Sequence, residues 1–461
     1  MKTRLGLILL LPALLLAQSS GTRQPALLVL AHVTIIDVTG GPSQPDMTVV
    51  IRGDRIAEIG KASEMATPPD ATVVNASGKF LIPGLWDMHV HWYDRASLTL
   101  FTANGVTGVR EMFGGPNLLR WRDEIAKGAL TGPRMIVASP IIDGPQPVWP
   151  NSIAVGNEDE GRKAVRKVKQ WGADFVKVYA LLPRDAYFGI ADESKRQGIS
   201  FVGHVPFAVS AAEASDAGQK SIEHLTGVLL GCSDKETELR NEIVKDVTRG
   251  ARFRGQVATV ESYNDKKAKD LFERFVKNGT WQCPTLTVLR SNAYAGDRSF
   301  RNDGRIKYMP RQMRQRWNMR SANRNDSDYA NAKKVFQKEV EVVGVMQRAG
   351  VSLLAGTDTG NPYCFPGFSL HDELALMVIG GLTPSESLRT ATLNPAKFLG
   401  LEKTLGTIEP GKIADLVLLD ADPLADIRNT QKINAVITNG RLFDRKALND
   451  MLARVEINLL K

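Results

Sequence analysis

The middle of this chain alternates short apolar runs with longer helical stretches, and it does so eight times. The runs are FLIPGLWDMHVH (80–91), GVTGVREMF (105–113), RMIVASPIID (134–143), DFVKVYALL (174–182), ISFVGHVP (199–206), KSIEHLTG (220–227), WQCPTLTVL (281–289) and VSLLAGTDTG (351–360). Stretches such as GRKAVRKVKQWG and AYFGIADESKRQG lie between them. Eight strand–helix units imply an α/β fold, a (β/α)8 TIM-type barrel over residues 83–401, with chemistry at the C-terminal ends of its strands. A doubly wound open sheet is the alternative, but no Gly-rich phosphate loop supports it.

The two ends have another texture. ALLVLAHVTIIDVTGG and MTVVIRGDRIAEIG near the start, and GTIEPGKIADLVLLDADPLADI and INAVITNGRLF near the finish, alternate apolar and polar residues between turns. They predict one small composite β-sandwich built from residues 21–82 and 402–461. Ahead of it, residues 1–20 (MKTRLGLILLLPALLLAQSS) join a basic start, Lys2 and Arg4, to an apolar run and a plausible cut after Ala17. That pattern is a secretory signal peptide. Pro12 and the shortness of the run count against a membrane anchor. The mature protein is expected to be exported, periplasmic or secreted, with no membrane insertion after cleavage.

Apolar residues make up 43% of the 461, enough to fill a large core, and 59 basic against 50 acidic residues leave a net charge of +9. The basic run RIKYMPRQMRQRWNMRSANR (305–324) is dense enough to suit an anionic partner. Such a run is more often a solvated helical face, so no nucleic-acid role is expected. The three cysteines fit no zinc pattern, and an odd count leaves at least one thiol without an intrachain partner. Cys232–Cys283 is the disulfide to test first. Between the sixth and eighth strands, residues 228–350 are longer and more polar than the ~30 residues per unit of this fold require. These insertions suit either a lid or substrate wall, or packing on the outside.

Polar residues at the strand ends carry the chemistry. His89 and His91 are two apart, so on a strand they point to one side, with Met88 and Val90 turned outward against helices. Two imidazoles aimed into one cavity suit a divalent metal. Lys177 lies mid-strand on the face of Phe175 and Tyr179, where burial favours the neutral amine. Such an amine can take up carbon dioxide as a bridging carbamate; a lysine paired with an acidic neighbour remains the alternative. His204 and His224 fall at matching places on the next two strands, and Asp358 ends the last one between Gly356 and Gly360. A carboxylate there can hold a metal and also take a proton from its water. His32, in the first sandwich strand, reads as ordinary structure.

GKFLIPGLWDMHVH, GVTGVRE, GHVP, IEHL, LLAGTDTG, LHDELALMVIGGLTPSESLRTATLNPAKFLGL and GTIEPGKIADLVLLDADPL, in that order, resemble the amidohydrolase superfamily. The likeness is to the branch near imidazolonepropionase and the Xaa-Pro dipeptidases, and it covers nearly the whole mature chain. It implies that His89, His91 and Asp358 hold a buried divalent ion, that Lys177 as its carbamate bridges, and that His204 and His224 hold a second ion, both zinc. Imidazolonepropionases lack this lysine, which moves the sequence toward the binuclear members.

Proline-dipeptide hydrolases of this kind often carry a tyrosine two residues after the fifth-strand histidine; here Pro206 stands there, which puts strict prolidase specificity in doubt. Tyr179, Arg110 and Tyr363 are candidate substitutes for gripping the substrate, and His371 is a candidate to reach the pocket. The resulting expectation is an exported, metal-dependent hydrolase of a small-molecule amide, a dipeptide or an N-acyl amino acid, with Asp358 as proton shuttle. A homo-oligomer is compatible with that reading. Lactones, cyclic amides and organophosphate esters suit the same site, and a non-catalytic scaffold on a degenerate barrel is a further alternative.

Overall fold

A computed structural model describes residues 27–248, 256–322 and 324–460 of the chain. The signal peptide expected over residues 1–20 lies outside them. LLVLAHVTI has the β-branched and aliphatic content that suits a half-buried pleat, and Leu27–Ile35 forms strand β1. Gln44–Arg52 (β2) pairs antiparallel with it, and Arg55–Lys61 (β3) folds back on β2. The turn between β2 and β3 requires Gly53, whose φ of 62° is left-handed. Thr72–Asn75 (β4) and Phe80–Pro83 (β5) lie parallel to β1 at different points along its length.

Beyond Pro83 the pairing becomes wholly parallel. Leu85–Val90 (β6), Val106–Glu111 (β7) and Arg134–Val137 (β8) make one sheet. Ile142–Asp143 (β9), Ile153–Ala154 (β10), Val176–Val178 (β11), Phe201–Gly203 (β12), Ser221–Glu223 (β13) and Trp281–Cys283 (β14) make another, in the order β10-β9-β11-β12-β13-β14. Parallel bridges at Ala138–Phe175, Gln282–Leu353 and Val90–Thr359 link these sheets and the segment around residues 353–359. The arrangement is that of an α/β TIM-type barrel, carried by two hydrogen-bonded sheets and single bridges.

Three of the eight predicted strands differ from expectation. WQCPTLTVL is strand only over Trp281–Cys283, and its second half opens the helix Leu286–Tyr294. RMIVASPIID is divided at Ser139–Pro140 into β8 and β9, because Pro140 has no N–H to give to a ladder. VSLLAGTDTG forms no regular strand. It is held by separate backbone bonds, Leu354 N to Gln282 O (2.9 Å), Met88 N to Ala355 O (2.8 Å) and Asp358 N to His89 O (2.7 Å). A side chain at Gly356 would collide with His89 and Cys283, and Asp358 itself has a left-handed φ of 57°. A segment bent this way cannot continue a pleat.

Helices cover the strands. Glu158–Gln170 buries Gly161, Ala164, Val165 and Val168 and packs on Arg184–Gln197. Gly161 meets the Ala186 carbonyl and Gly189 meets the Glu158 carbonyl, each so closely that a methyl group would clash. The long region after His224 is helical too, with Asp265–Asn278 before β14, and Leu286–Tyr294, Arg311–Ala322 and Asp326–Arg348 after it. No helix among the described residues is long and apolar enough to cross a membrane.

At the far end, Leu416–Leu419 (β15) pairs antiparallel with β5, Ile433–Thr438 (β16) with β15, and Arg441–Asp444 (β17) with β16. Both chain ends thus enter one sheet of order β17-β16-β15-β5-β1-β2-β3, with β4 beside β1. This is one continuous hydrogen-bonded path, joined at β5, where separate layers of a sandwich were expected. The last helix, Arg445–Leu460, leaves the sheet and packs on Thr99–Ala103 of the barrel.

Candidate metal centre

His89 lies on β6, and His91 directly follows it. The register of β6 shifts between Asp87 and Val90, so strict alternation fails there. Met88, expected to face the helices, instead joins Trp86, Met112, Phe175, Val202 and Cys283 in a buried cluster drawn from several strands. The two histidines still converge. Their Nε2 atoms are 3.3 Å apart, and Asp358 Oδ1 is 3.5 Å from the first and 3.2 Å from the second. The three ligand atoms lie within 4.8 Å of one another, a grouping able to hold a cation.

The far side of His89 explains its orientation. Its Nδ1 is 2.7 Å from Glu223 Oε2, and Glu223 accepts from Arg110 Nη2 at 2.9 Å on both oxygens. All three side chains are fully buried. A carboxylate on one ring nitrogen fixes the tautomer and aims the other nitrogen at the centre. His89, Glu223 and Cys283 also lie close enough to form a metal triad. Because Glu223 is already satisfied by Arg110 and by the His89 ring, that triad reads as a hydrogen-bonded support. Burial also pushes the Cys283 thiol well up, which keeps it protonated.

His224 ends β13 in a left-handed backbone (φ 57°), with Nδ1 2.6 Å from Thr285 Oγ1 and 3.9 Å from Asp358 Oδ2. Its ring centroid is 4.5 Å from that of His89 and 4.9 Å from that of His204. Lys177 sits on β11 with no exposed surface, and among the described residues its Nζ has no hydrogen-bond partner. Burial lowers this amine to about 8. The structure therefore brings all six predicted ligands, His89, His91, Lys177, His204, His224 and Asp358, to one place.

Electrostatics there favour ligand forms. Burial, then the Lys177 charge, pulls His89 and His204 well below the usual imidazole range. Burial lowers His224 to about 4 despite Asp358. Burial alone would raise Asp358, but His224, His91 and Lys177 hold it at about 2. His91 is the exception: burial lowers it, while the neighbouring carboxylates of Asp358 and Glu111 lift it to about 9. Three neutral imidazoles beside His91, an ionised carboxylate and a buried amine unpartnered among the described residues make a donor set that fits divalent ions and a carbamate.

Other expectations are corrected. Arg110 is not available to substrate: besides Glu223 it donates to Met88 O (2.6 Å) and Ser221 Oγ (3.0 Å) on the barrel floor. His371 does not reach the pocket, because its two nitrogens are engaged by Thr430 Oγ1 (2.9 Å) and Asn104 O (3.0 Å). Tyr179 does border the centre, its ring 3.9 Å from that of His204 and its hydroxyl accepting from Trp149 Nε1 at 2.8 Å. Tyr363 packs instead against Phe300 and Trp317 of the long insertion. The Cys232–Cys283 disulfide is not formed; all three cysteines are free and buried.

Four supporting groups went unnoticed in the sequence: Glu223, Glu111, Thr285 and Asp87. Glu111 accepts from Trp92 N (2.9 Å) and faces His91 Nδ1 at 3.7 Å. Asp87 ties the first strand to the last by accepting from Thr357 N (3.0 Å) and Thr357 Oγ1 (2.6 Å), and burial raises it to about 7. The usable signal was an acidic residue inside an apolar run, as in GLWDM, GVREM and KSIEHL.

Residues 80–443 match the model of the amidohydrolase family. An ochratoxinase from Aspergillus niger is 26% identical over 430 residues, 79% of this chain and 75% of that one. Among curated relatives the coverage is uneven: the chain spans 42% of the length of another, 24% identical to it. A solved bottromycin amidohydrolase superposes with a TM-score of 0.74 at 23% identity, covering 95% of this chain and 91% of that one. A Xaa-Pro dipeptidase with methionine in its active site gives 0.66 at 21%, covering 91% and 100%. At such identities these structures speak for the fold.

Proposed function

Because the chain belongs to the amidohydrolase family, and because four imidazoles, a carboxylate and an unpartnered buried amine meet at its strand ends, we propose that it is a metal-dependent hydrolase of amide C–N bonds. The observation that carries this reading is Lys177. A buried amine with no partner is costly unless something completes it. Reaction of its neutral Nζ with carbon dioxide gives a carbamate and releases one proton, turning the orphan into an anionic oxygen donor. His89, His91 and Asp358 would then hold one divalent ion, and His204 and His224 a second, with Lys177 between. Two such ions, zinc in our reading, supply Lewis acidity and lower the pKa of water.

The remaining work falls to the chain. Asp358, held ionised, accepts the proton of the attacking water on a carboxylate oxygen and delivers it to the departing amine. Glu223 and Arg110 keep the His89 ring aimed. Tyr179 borders the His204 side. The substrate is a dipeptide or an N-acyl amino acid, a class consistent with the dipeptidase and amidohydrolase neighbours. Pro206 argues against strict proline-dipeptide specificity. Export, read from residues 1–20, belongs to the same proposal; N-terminal sequencing should find the mature chain beginning at Gln18.

The test is metal analysis after incubation with zinc and bicarbonate, followed by a panel of dipeptides, N-acyl amino acids and lactones. We expect two ions per chain, fewer in Lys177→Ala, and turnover of the amides. Full metal content in Lys177→Ala would remove the bridging role. Lactones cleaved faster than every amide would overturn the substrate class.

A further inference from the structure

The basic run at 305–324 has no part in the hydrolase reading. Part of it forms the helix Arg311–Ala322, which faces the short helix Arg298–Arg301 and the loop after Asp358. Between them lies a cavity of about 360 Å³ lined by Arg301, Ile306, Arg311, Arg314, Trp317 and Tyr363.

Its charge is unbalanced. The acids nearby are already committed: Asp297 to Lys333 at 3.0 Å, Asp303 to Arg305 at 2.7 Å, and Asp372 to Arg290 and Arg305 at 2.9 and 2.8 Å. Among the described residues, no carboxylate pairs with Arg301, Arg311 or Arg314. Arg314 Nε is moreover buried without an acceptor. Arg301 and Arg311 are exposed and Arg314 is half-buried, so the three guanidinium groups are open to an anion from outside.

Two aromatic side chains form part of the wall. Trp317 and Tyr363 are both buried, their ring centroids 5.5 Å apart, with Phe300 5.6 Å from Tyr363 and Phe365 5.9 Å from Trp317. The cavity also adjoins the metal centre in the chain. Tyr363 follows Asp358 by two tight turns, Asn361 N to Asp358 O (3.2 Å) and Cys364 N to Asn361 O (3.1 Å). Buried Cys364 feels the Asp358 charge.

We infer that this cavity is a carboxylate-recognition pocket that grips an acidic group of the substrate remote from the scissile bond, so that the enzyme favours amides bearing a second carboxylate. The preference rests on the hydrolase reading above; the anion site itself does not. Planar guanidinium forks match carboxylates in a bidentate way, and a small cleft flanked by Trp317 and Tyr363 suits a small organic anion better than a long nucleic-acid backbone.

The test uses the full-length protein and isothermal titration with glutarate and N-acetyl-L-glutamate, with neutral glutaramide as control. Wild type should bind both acids and not the diamide. The double variant Arg311→Gln/Arg314→Gln should bind them about tenfold more weakly or worse, and Arg314→Lys should fall between, keeping charge without the fork. In turnover, the double variant should lose the preference for acidic over neutral dipeptides through KM. Equal glutarate affinity in wild type and double variant, as expected for a carboxylate binding at the metal centre instead, would overturn the pocket. So would binding of phosphate or a single-stranded oligonucleotide where glutarate does not bind. If no peptide is hydrolysed but glutarate affinity still follows the arginines, the pocket stands and the hydrolase reading falls.

Discussion

The sheet built from the chain ends and the centre of the barrel both bury many side chains, yet they are filled with opposite chemistry. The sheet buries Leu28, Leu30, Ile35, Val49, Ile51, Leu416, Leu418 and Ile437, all aliphatic. The barrel centre buries Asp87, His89, Arg110, Glu111, Lys177, Glu223 and Asp358. Aliphatic burial stabilises by removing apolar surface from water. Burying charge costs stability unless each group is paired, and here Lys177 Nζ is left without a hydrogen-bond partner among the described residues. The same degree of burial therefore marks structure in one region and chemistry in the other.

The sharpest way to break this contrast is Asp358→Asn. It should lower kcat by about 10³-fold, within the range of general acid–base effects, while melting temperature and metal content change little. A variant with normal turnover would deny the carboxylate its proton-transfer role.

Glu223→Gln comes next. It leaves Arg110 without a countercharge in the barrel floor, and removing one member of a buried ion pair costs about 3–5 kcal/mol. Denaturant unfolding should register that loss, and zinc affinity should drop by about 10–100-fold as His89 loses its orienting partner. Should both be unchanged, Glu223 is not a support for the centre.

Leu418→Ala probes the other region. Truncating this fully buried residue of β15 should cost about 2–5 kcal/mol. The folded fraction should keep wild-type metal content and kcat. A selective loss of activity would mean that the sheet and the centre are coupled.

The smallest effect concerns pH. Lys177 has a folded pKa of about 8, below the ordinary 10.5, so the folded state disfavours its charged form. Its burial therefore costs stability at pH below 8, and that cost fades as pH rises from 8 toward 10.5, where the unfolded chain binds more protons. Carbamate formation needs the free amine. Loading of metal-free protein with zinc and bicarbonate should quicken as pH rises from 7 to 9, followed as zinc bound per chain with time. A flat profile in wild type would separate Lys177 from metal capture.

How much of this was legible depended on range. Five of the six candidate ligands could be read because each stands at or near the end of a short apolar run, and run ends share one rim in a parallel barrel; Lys177, mid-run, stood out as a charge on an inward face. Arg110 misled for the opposite reason: it was read as a candidate to grip the substrate, but its partner Glu223 is remote in sequence, so nothing local revealed that the guanidinium was already engaged. His371 failed likewise, its contacts being Asn104 and Thr430. The bend at Asp358 and the split at Pro140 are local, and the glycines and proline that cause them were visible, yet the apolar pattern outweighed them.

By itself, then, the sequence determined the alternation of strands and helices, the sheet-forming ends and the identity of the groups at the rim, because hydrophobic periodicity and residue chemistry act over a few positions. The tertiary structure alone decided which buried charges are paired, that the thiols stay apart, and that three arginines of the insertion line one cavity with, among the described residues, no carboxylate paired to them. Those outcomes depend on which distant side chains become neighbours in a low-dielectric interior, and that is a property of packing.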